Sequence, residues 1–157
     1  MEKKIAIALT VIVAVSCIAI VCFAGCTKKN EPVRQSASAY LDQTENKVEA
    51  RVDLSDGYSC EFAQGAVYLF DQEINESAKE VAIGITLEED VYNDYLAHSQ
   101  EDANRKEING GIMFSTESQT IFIQTVGDSA YFAVFADNVT MSQMESIAAR
   151  FTVTPAV

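Results

Sequence analysis

The sequence predicts an α+β domain: a mostly antiparallel sheet with two helices packed on it, after an N-terminal apolar signal or membrane helix and a flexible tether. Three observations predict it. Alternating apolar segments are joined by short Gly-, Asp- and Ser-bearing turns, which imply hairpins and hence antiparallel pairing. Two segments instead carry an apolar stripe at helical spacing. Ahead of both, Ile5 to Gly25 holds no charged residue.

The chain has 157 residues, a net charge of -12, one His, no Trp and four Cys. A nucleic-acid binder needs a basic footprint, which this chain lacks. Four cysteines are too sparse for a disulfide scaffold. At 48% apolar residues the chain can build a core. One His leaves a Cys/His zinc site hard to assemble.

The elements follow in order. Residues 1–25 read as a signal peptide in the form of an apolar helix, with Lys3 and Lys4 outweighing Glu2 at its start. The uncharged run exceeds a signal core of about 7–15 residues and meets the roughly 20 that span a membrane. Residues 26–46 read as a polar tether with Pro32 and a Ser-Ala-Ser stretch, in which Ala39-Tyr40-Leu41 is able to dock on the domain. Residues 47–157 read as the domain. Val48, Ala50, Val52 and Leu54 alternate with Glu49, Arg51 and Asp53, the pattern of a half-buried strand. Ser55-Asp56-Gly57 then turns into Tyr58 to Phe62, predicting a hairpin, and Gly65 predicts a bulge before Ala66 to Phe70. Asp71 to Lys79 reads as a polar loop, and Val81, Ile83, Ile85 and Leu87 alternate again.

Thr86 and Glu89 have capping-box spacing, ahead of a stripe of Val91, Tyr92, Tyr95 and Leu96. Ile108 to Ser115 reads as a strand interrupted at Gly110-Gly111. Gln119 to Val126 and Ala130 to Ala136 follow, each after a turn. The last of these is apolar on both faces, which places it centrally in the sheet and covered on both sides. Thr140 with Gln143 forms a second capping box, with Val139 set to staple onto Met144. Met141, Met144, Ile147, Ala148 and Phe151 make that helix's apolar face, and Phe151 to Val153 reads as a short closing strand before Pro155.

Phe23-Ala24-Gly25-Cys26 resembles the lipobox of bacterial lipoproteins. The resemblance implies acylation of the Cys26 thiol and cleavage before it, with small Ala24 and Gly25 fitting the peptidase. Phe23 stands where that family usually has an aliphatic residue. Cys17 follows Ala14-Val15-Ser16, but cleavage there leaves Ile18 to Gly25 exposed on the mature chain; Cys22 follows Val21, a poor residue for a cut. An uncleaved signal anchor is the alternative, and either form places the domain on the extracytoplasmic side of the cell membrane. Two acyl chains suffice for stable anchoring at ~0.8 kcal/mol per buried CH₂. Asp56-Gly57-Tyr58-Ser59 with Phe62, and Ile147 to Phe151, are similar to the opening strand and closing helix of PsbP-like proteins. That resemblance implies an α-β-α sandwich and a binding or assembly role, and carries no functional residue.

From Val48 on, 19 acidic residues face five basic ones, Arg51, Lys79, Arg105, Lys106 and Arg150. Such a surface repels nucleic acid and anionic lipid. Local candidates for chemistry are few. Cys60 alternates with Tyr58 and Phe62 on an apolar face and reads as a buried thiol; pairing with His98 is the sharper alternative. His98 itself reads as an exposed residue late on the first helix. Asp71, Glu73, Asn75 and Ser77 have calcium-loop spacing, but Glu76 and Ala82 stand where Gly and Glu are needed. Glu88, Glu89, Asp90 and Asp94 read as helix-start acids rather than a catalytic pair. Gly110-Gly111 lacks a phosphate-loop context, no Gly-x-Ser-x-Gly is present, and the Asn75 and Asn138 sequons fit chance occurrence.

The expected protein is therefore a membrane-anchored lipoprotein, lipidated at Cys26, whose acidic domain binds an envelope protein or small ligand. It is expected to be no enzyme, with no cofactor, metal or nucleic-acid partner. A scaffolding subunit of an envelope complex is the alternative, and an envelope hydrolase a third.

Overall fold

Alternation in the sequence fixes which side chains share a face, and hydrogen-bond register fixes which strands lie together. The computed structural model describes residues 36–41, 47–71 and 79–156. All of them belong to one unit, Pro32–Val157. The strands are β1 (Ser36–Leu41), β2 (Val48–Asp53), β3 (Tyr58–Ala63), β4 (Ala66–Asp71) and β5 (Lys79–Leu87). Helix α1 (Glu89–Ser99) follows, then β6 (Lys106–Ile108), β7 (Gly111–Ser115), β8 (Gln119–Val126) and β9 (Ala130–Asp137). Helix α2 (Met141–Ala148) and β10 (Phe151–Pro155) close the fold.

The α+β class and the antiparallel pairing hold, but there are two sheets. One has seven strands in the order β3-β4-β5-β9-β8-β7-β6, and the other three in the order β1-β2-β10. β9 is the central strand of the large sheet. Its Phe132, Val134 and Ala136 join one core cluster with Val48, Ala50 and Val52 of β2 and Met144, Ile147 and Phe151. Its Ala133, with Tyr131 and Phe135, joins a second cluster containing Tyr92, Tyr95 and Leu96 of α1. One face of the large sheet thus packs against the small sheet and α2, the other against α1. Gly84 on β5 permits the close approach of the sheets: a Cβ there would lie 2.7 Å from Phe132 and 2.9 Å from Phe151.

Several expectations are corrected. Ser36–Leu41 is a strand, not tether: all six of its residues pair with β2, and Leu41 is 1% exposed. Burial of Leu41 and a full ladder offset the chain entropy that favours coil. The Ser55-Asp56-Gly57 turn does not close a hairpin. It is a 3₁₀ turn with positive φ at Asp56 and Gly57, and it carries the chain from the small sheet to the large one. Gly65 marks no bulge. Gln64 and Gly65 both have positive φ and form a two-residue hairpin turn between β3 and β4. The register shift lies at Leu69/Phe70 instead. Asn109 and Gly110 likewise turn β6 into β7, so 108–115 is a hairpin end rather than one interrupted strand.

The first capping box fails. Thr86 stays in β5 opposite Phe132, its buried hydroxyl without a hydrogen-bond partner among the described residues. Glu88 takes the cap position without a side-chain bond. The second box forms as expected. Thr140 Oγ1 accepts from Gln143 N–H at 3.2 Å, and Thr140 N–H donates to Gln143 Oε1 at 2.8 Å. β10 forms and pairs with β2. The apolar run 5–25, Cys26 and the rest of the tether lie outside the described residues.

Candidate functional site

The sequence-singled residues do not converge. Cys60 is half-buried on β3 and packs against the larger cluster, and burial pushes its thiol up, away from the thiolate. His98 packs its ring against Phe114, 6.3 Å away in the other cluster, with Nδ1 3.7 Å from Glu101. The large sheet separates the two clusters, so Cys60 and His98 are not brought together. Of the spaced acidic loop, Asp71 ends β4 and Ala82 is buried in β5; Glu73, Asn75, Glu76 and Ser77 lie outside the described residues. No group of three or more metal-ligating side chains occurs among the described residues. No described helix is long and apolar enough to cross a membrane.

The α1 acids have structural employment. Asp90 Oδ1 accepts the Val91 N–H at 2.9 Å, in keeping with negative charge at a helix N-terminus. The Glu89 carboxylate lies close enough to the Tyr131 hydroxyl to act on its titration. Burial first, and then the Glu89 charge, hold the Tyr131 phenol above the usual tyrosine range. The Tyr131 ring stacks on Tyr92, with centroids 4.6 Å apart and planes at 27°.

Tyr92 in turn forms one wall of a groove of about 420 Å³ whose other wall is the β6–β7 hairpin, residues 107–112. Glycine shapes this hairpin. A Cβ on Gly111 would lie 2.5 Å from the Phe122 ring and the Ile123 carbonyl, so its absence lets β7 lie close on β8. Gly110, at φ +78°, has open space above it. The groove is lined by the edge of the largely buried Tyr92, by Ile108 and Ile112, and by the Asn109-Gly110 turn. Its one acid, Glu107, is paired with Arg105 at 3.0 Å. Such a lining suits an uncharged or cationic ligand with both an apolar face and hydrogen-bonding groups.

A smaller cleft of about 210 Å³ lies among Ser36, Arg51, Asp53, Ala149, Arg150 and Thr152. Arg150 dominates it and is largely committed to the fold. Nη1 donates to the Asp53 carbonyl at 3.2 Å and the Ser55 carbonyl at 2.8 Å. Nη2 donates to Asp56 Oδ2 at 3.2 Å, and the guanidinium sits 3.8 Å from the Tyr58 ring centroid. Arg51 Nη2 donates to Ser36 Oγ at 3.1 Å. This cleft locks the 3₁₀ turn between the sheets. Sequence reasoning assigned Arg150 no role; the available signal was its rarity as one of five cations in an acidic domain. Set against protein families, curated proteins and solved structures, the chain matches none.

Proposed function

We propose that this protein is a membrane-anchored bacterial lipoprotein, acylated at Cys26, whose acidic extracytoplasmic domain binds an envelope protein or small ligand in the groove beside Tyr92. The observation that carries the reading is one chain holding both an uncharged run that ends in Ala24-Gly25-Cys26 and, ten residues later, a folded acidic domain. The groove supports the binding role: it has ligand-scale volume, mixed lining and a compensated acid. Cys60 and His98 pack with different clusters, so a nucleophile pair of these two residues gains no support from the geometry.

Two measurements test it. The intact mass of the membrane-extracted protein is expected to show a start at Cys26 plus lipid. A full-length unmodified mass overturns acylation. In-cell cross-linking of the lipidated protein, with the adducts mapped, is expected to place the bound molecule on residues 107–112. Adducts mapping only elsewhere overturn the assignment of the groove.

A further inference from the structure

Asparagine has a reaction of its own that needs no cofactor. The backbone nitrogen of the following residue attacks the side-chain carbonyl, fastest when that residue is glycine, whose missing Cβ leaves the nitrogen open to approach. The chain has seven asparagines, and only Asn109 precedes a glycine. The fold presents this pair openly. Asn109 and Gly110 are both exposed at the tip of the β6–β7 hairpin, and a Cβ on Gly110 would meet nothing within 4 Å. Neither the Asn109 side chain nor the Gly110 N–H has a hydrogen-bond partner among the described residues. Two other turns isolate what matters. Asn138 is also exposed with positive φ, 55° against 48° at Asn109. It precedes Val139, however, which is β-branched and half-buried, with its carbonyl accepting from Thr120 Oγ1. Gln64 precedes Gly65 in a turn of the same kind, but its amide is one methylene farther from the backbone and would close a larger ring. Ring closure at Asn109 requires rotation out of the turn conformation. The hairpin end permits it: β6 is a three-residue edge strand paired with β7 alone, and such lightly held segments open at little cost.

We propose that Asn109 is a site of spontaneous deamidation, which turns the hairpin wall of the groove acidic as the chain ages. The Gly110 nitrogen gives up its proton and bonds to Asn109 Cγ, the Cγ–Nδ2 bond breaks, and ammonia leaves with that proton. The product is a succinimide formed between residues 109 and 110. Water then adds to one of its two carbonyls. Opening at Cγ leaves aspartate. Opening at the backbone carbonyl leaves isoaspartate, with the chain routed through Cγ. Nothing is oxidised or reduced, and water is the only co-reactant. Because the deprotonated nitrogen is the nucleophile, the first step is faster at higher pH. Position 109 lines the groove beside Glu107, whose charge Arg105 offsets, so the new carboxylate adds a second acid to that wall. Isoaspartate also adds a backbone atom to a two-residue turn whose length sets the pairing of Ile108 with Gly111.

The test is incubation of the membrane-extracted protein in neutral and in mildly alkaline buffer made with heavy-oxygen water, sampled over days. Isoelectric focusing is expected to show a growing, more acidic form, faster in the alkaline buffer. Peptide mapping is expected to find heavy oxygen and isoaspartate at position 109 while Asn138 still carries its amide. Asn109→Gln, which rebuilds the Gln64-Gly65 pair at this turn, is expected to keep the far-UV circular dichroism and lose the acidic form. An unchanged parent chain, new acid mapped only to other positions, conversion of Asn138 ahead of Asn109, or an undiminished acidic form in Asn109→Gln overturns the proposal. Neither acylation of Cys26 nor a ligand in the groove enters this outcome.

Discussion

Arg150 concentrates more of the fold's long-range order than any other polar residue described. Its side chain, 15% exposed, reaches two backbone carbonyls, one carboxylate and one aromatic face on a segment more than 90 positions away. The carbonyl bonds are partly buried, whereas Asp56 is 79% exposed. Exposed ion pairs contribute little, and buried hydrogen bonds to charged groups about 1.5–3 kcal/mol. Arg150→Ala is therefore expected to cost about 2–3 kcal/mol in urea unfolding. Asp56→Asn, which keeps the tolerance for positive φ, is expected to cost about 0.5 kcal/mol. Arg150→Lys is expected to recover less than half of the Arg150→Ala loss, because a single ammonium cannot reproduce the planar fork. Equal losses for Arg150→Ala and Asp56→Asn would place the energy in the ion pair and refute this division. The sequence holds Arg150 and Tyr58 in plain view. Nothing local says that they meet, because periodicity reports faces and not distant partners.

At the scale of elements, the same sequence signal succeeded once and failed once. Thr140 and Thr86 both open a Thr-x-x-Gln/Glu box. Thr140 leads a helix whose apolar residues Met144, Ile147 and Ala148 are all buried, so the cap and the packing agree. Thr86 is held in the ladder opposite Phe132, and tertiary pairing overrides the box. The hairpins at Gln64-Gly65 and Asn109-Gly110 show a related limit: a glycine signals positive φ but does not say whether a bulge or a turn uses it. The sequence of β1 resembles a tether because Ser and Ala have low strand preference and give the alternation little hydrophobic contrast. The structure turns that difference into a measurement. Leu41→Ala, at 1% exposure, is expected to cost about 2–5 kcal/mol in urea unfolding. Tyr40→Ala, on the outer face, is expected to stay within about 0.5 kcal/mol. A tether would make both substitutions neutral.

For the whole molecule, the class, the antiparallel pairing, both helices and the central position of β9 were legible, because each follows from apolar periodicity. The division into two sheets was not, since β2 and β3 have the same half-buried pattern whether or not they pair. Composition carried a further whole-molecule property, the large excess of acid, and the structure locates one place where it strains the fold. Glu80 at the start of β5 has its carboxyl held above the ordinary glutamate range, first by burial and then by the negative charge of Asp137. Asp137 is fixed there by a bond from Gln119 Nε2 at 2.9 Å. A raised carboxyl binds a proton in the folded chain at pH values where the unfolded chain has already lost it. Its stabilising contribution is thus complete below the ordinary glutamate value and is lost as pH rises through the folded value. At pH 7 the ionised Glu80 opposes folding. Glu80→Gln is accordingly expected to raise the urea-unfolding free energy at pH 7 by about a few tenths of a kcal/mol, a small gain because Glu80, although partly desolvated, stays largely in solvent and is screened. The variant is also expected to gain less than the parent when pH is lowered toward 5. Added salt is expected to stabilise the parent more than the variant, since it screens a repulsion that only the parent retains. A lower midpoint for Glu80→Gln at pH 7, or equal gains on acidification, would show that Glu80 is stabilised as the anion and would reverse the sign of this argument.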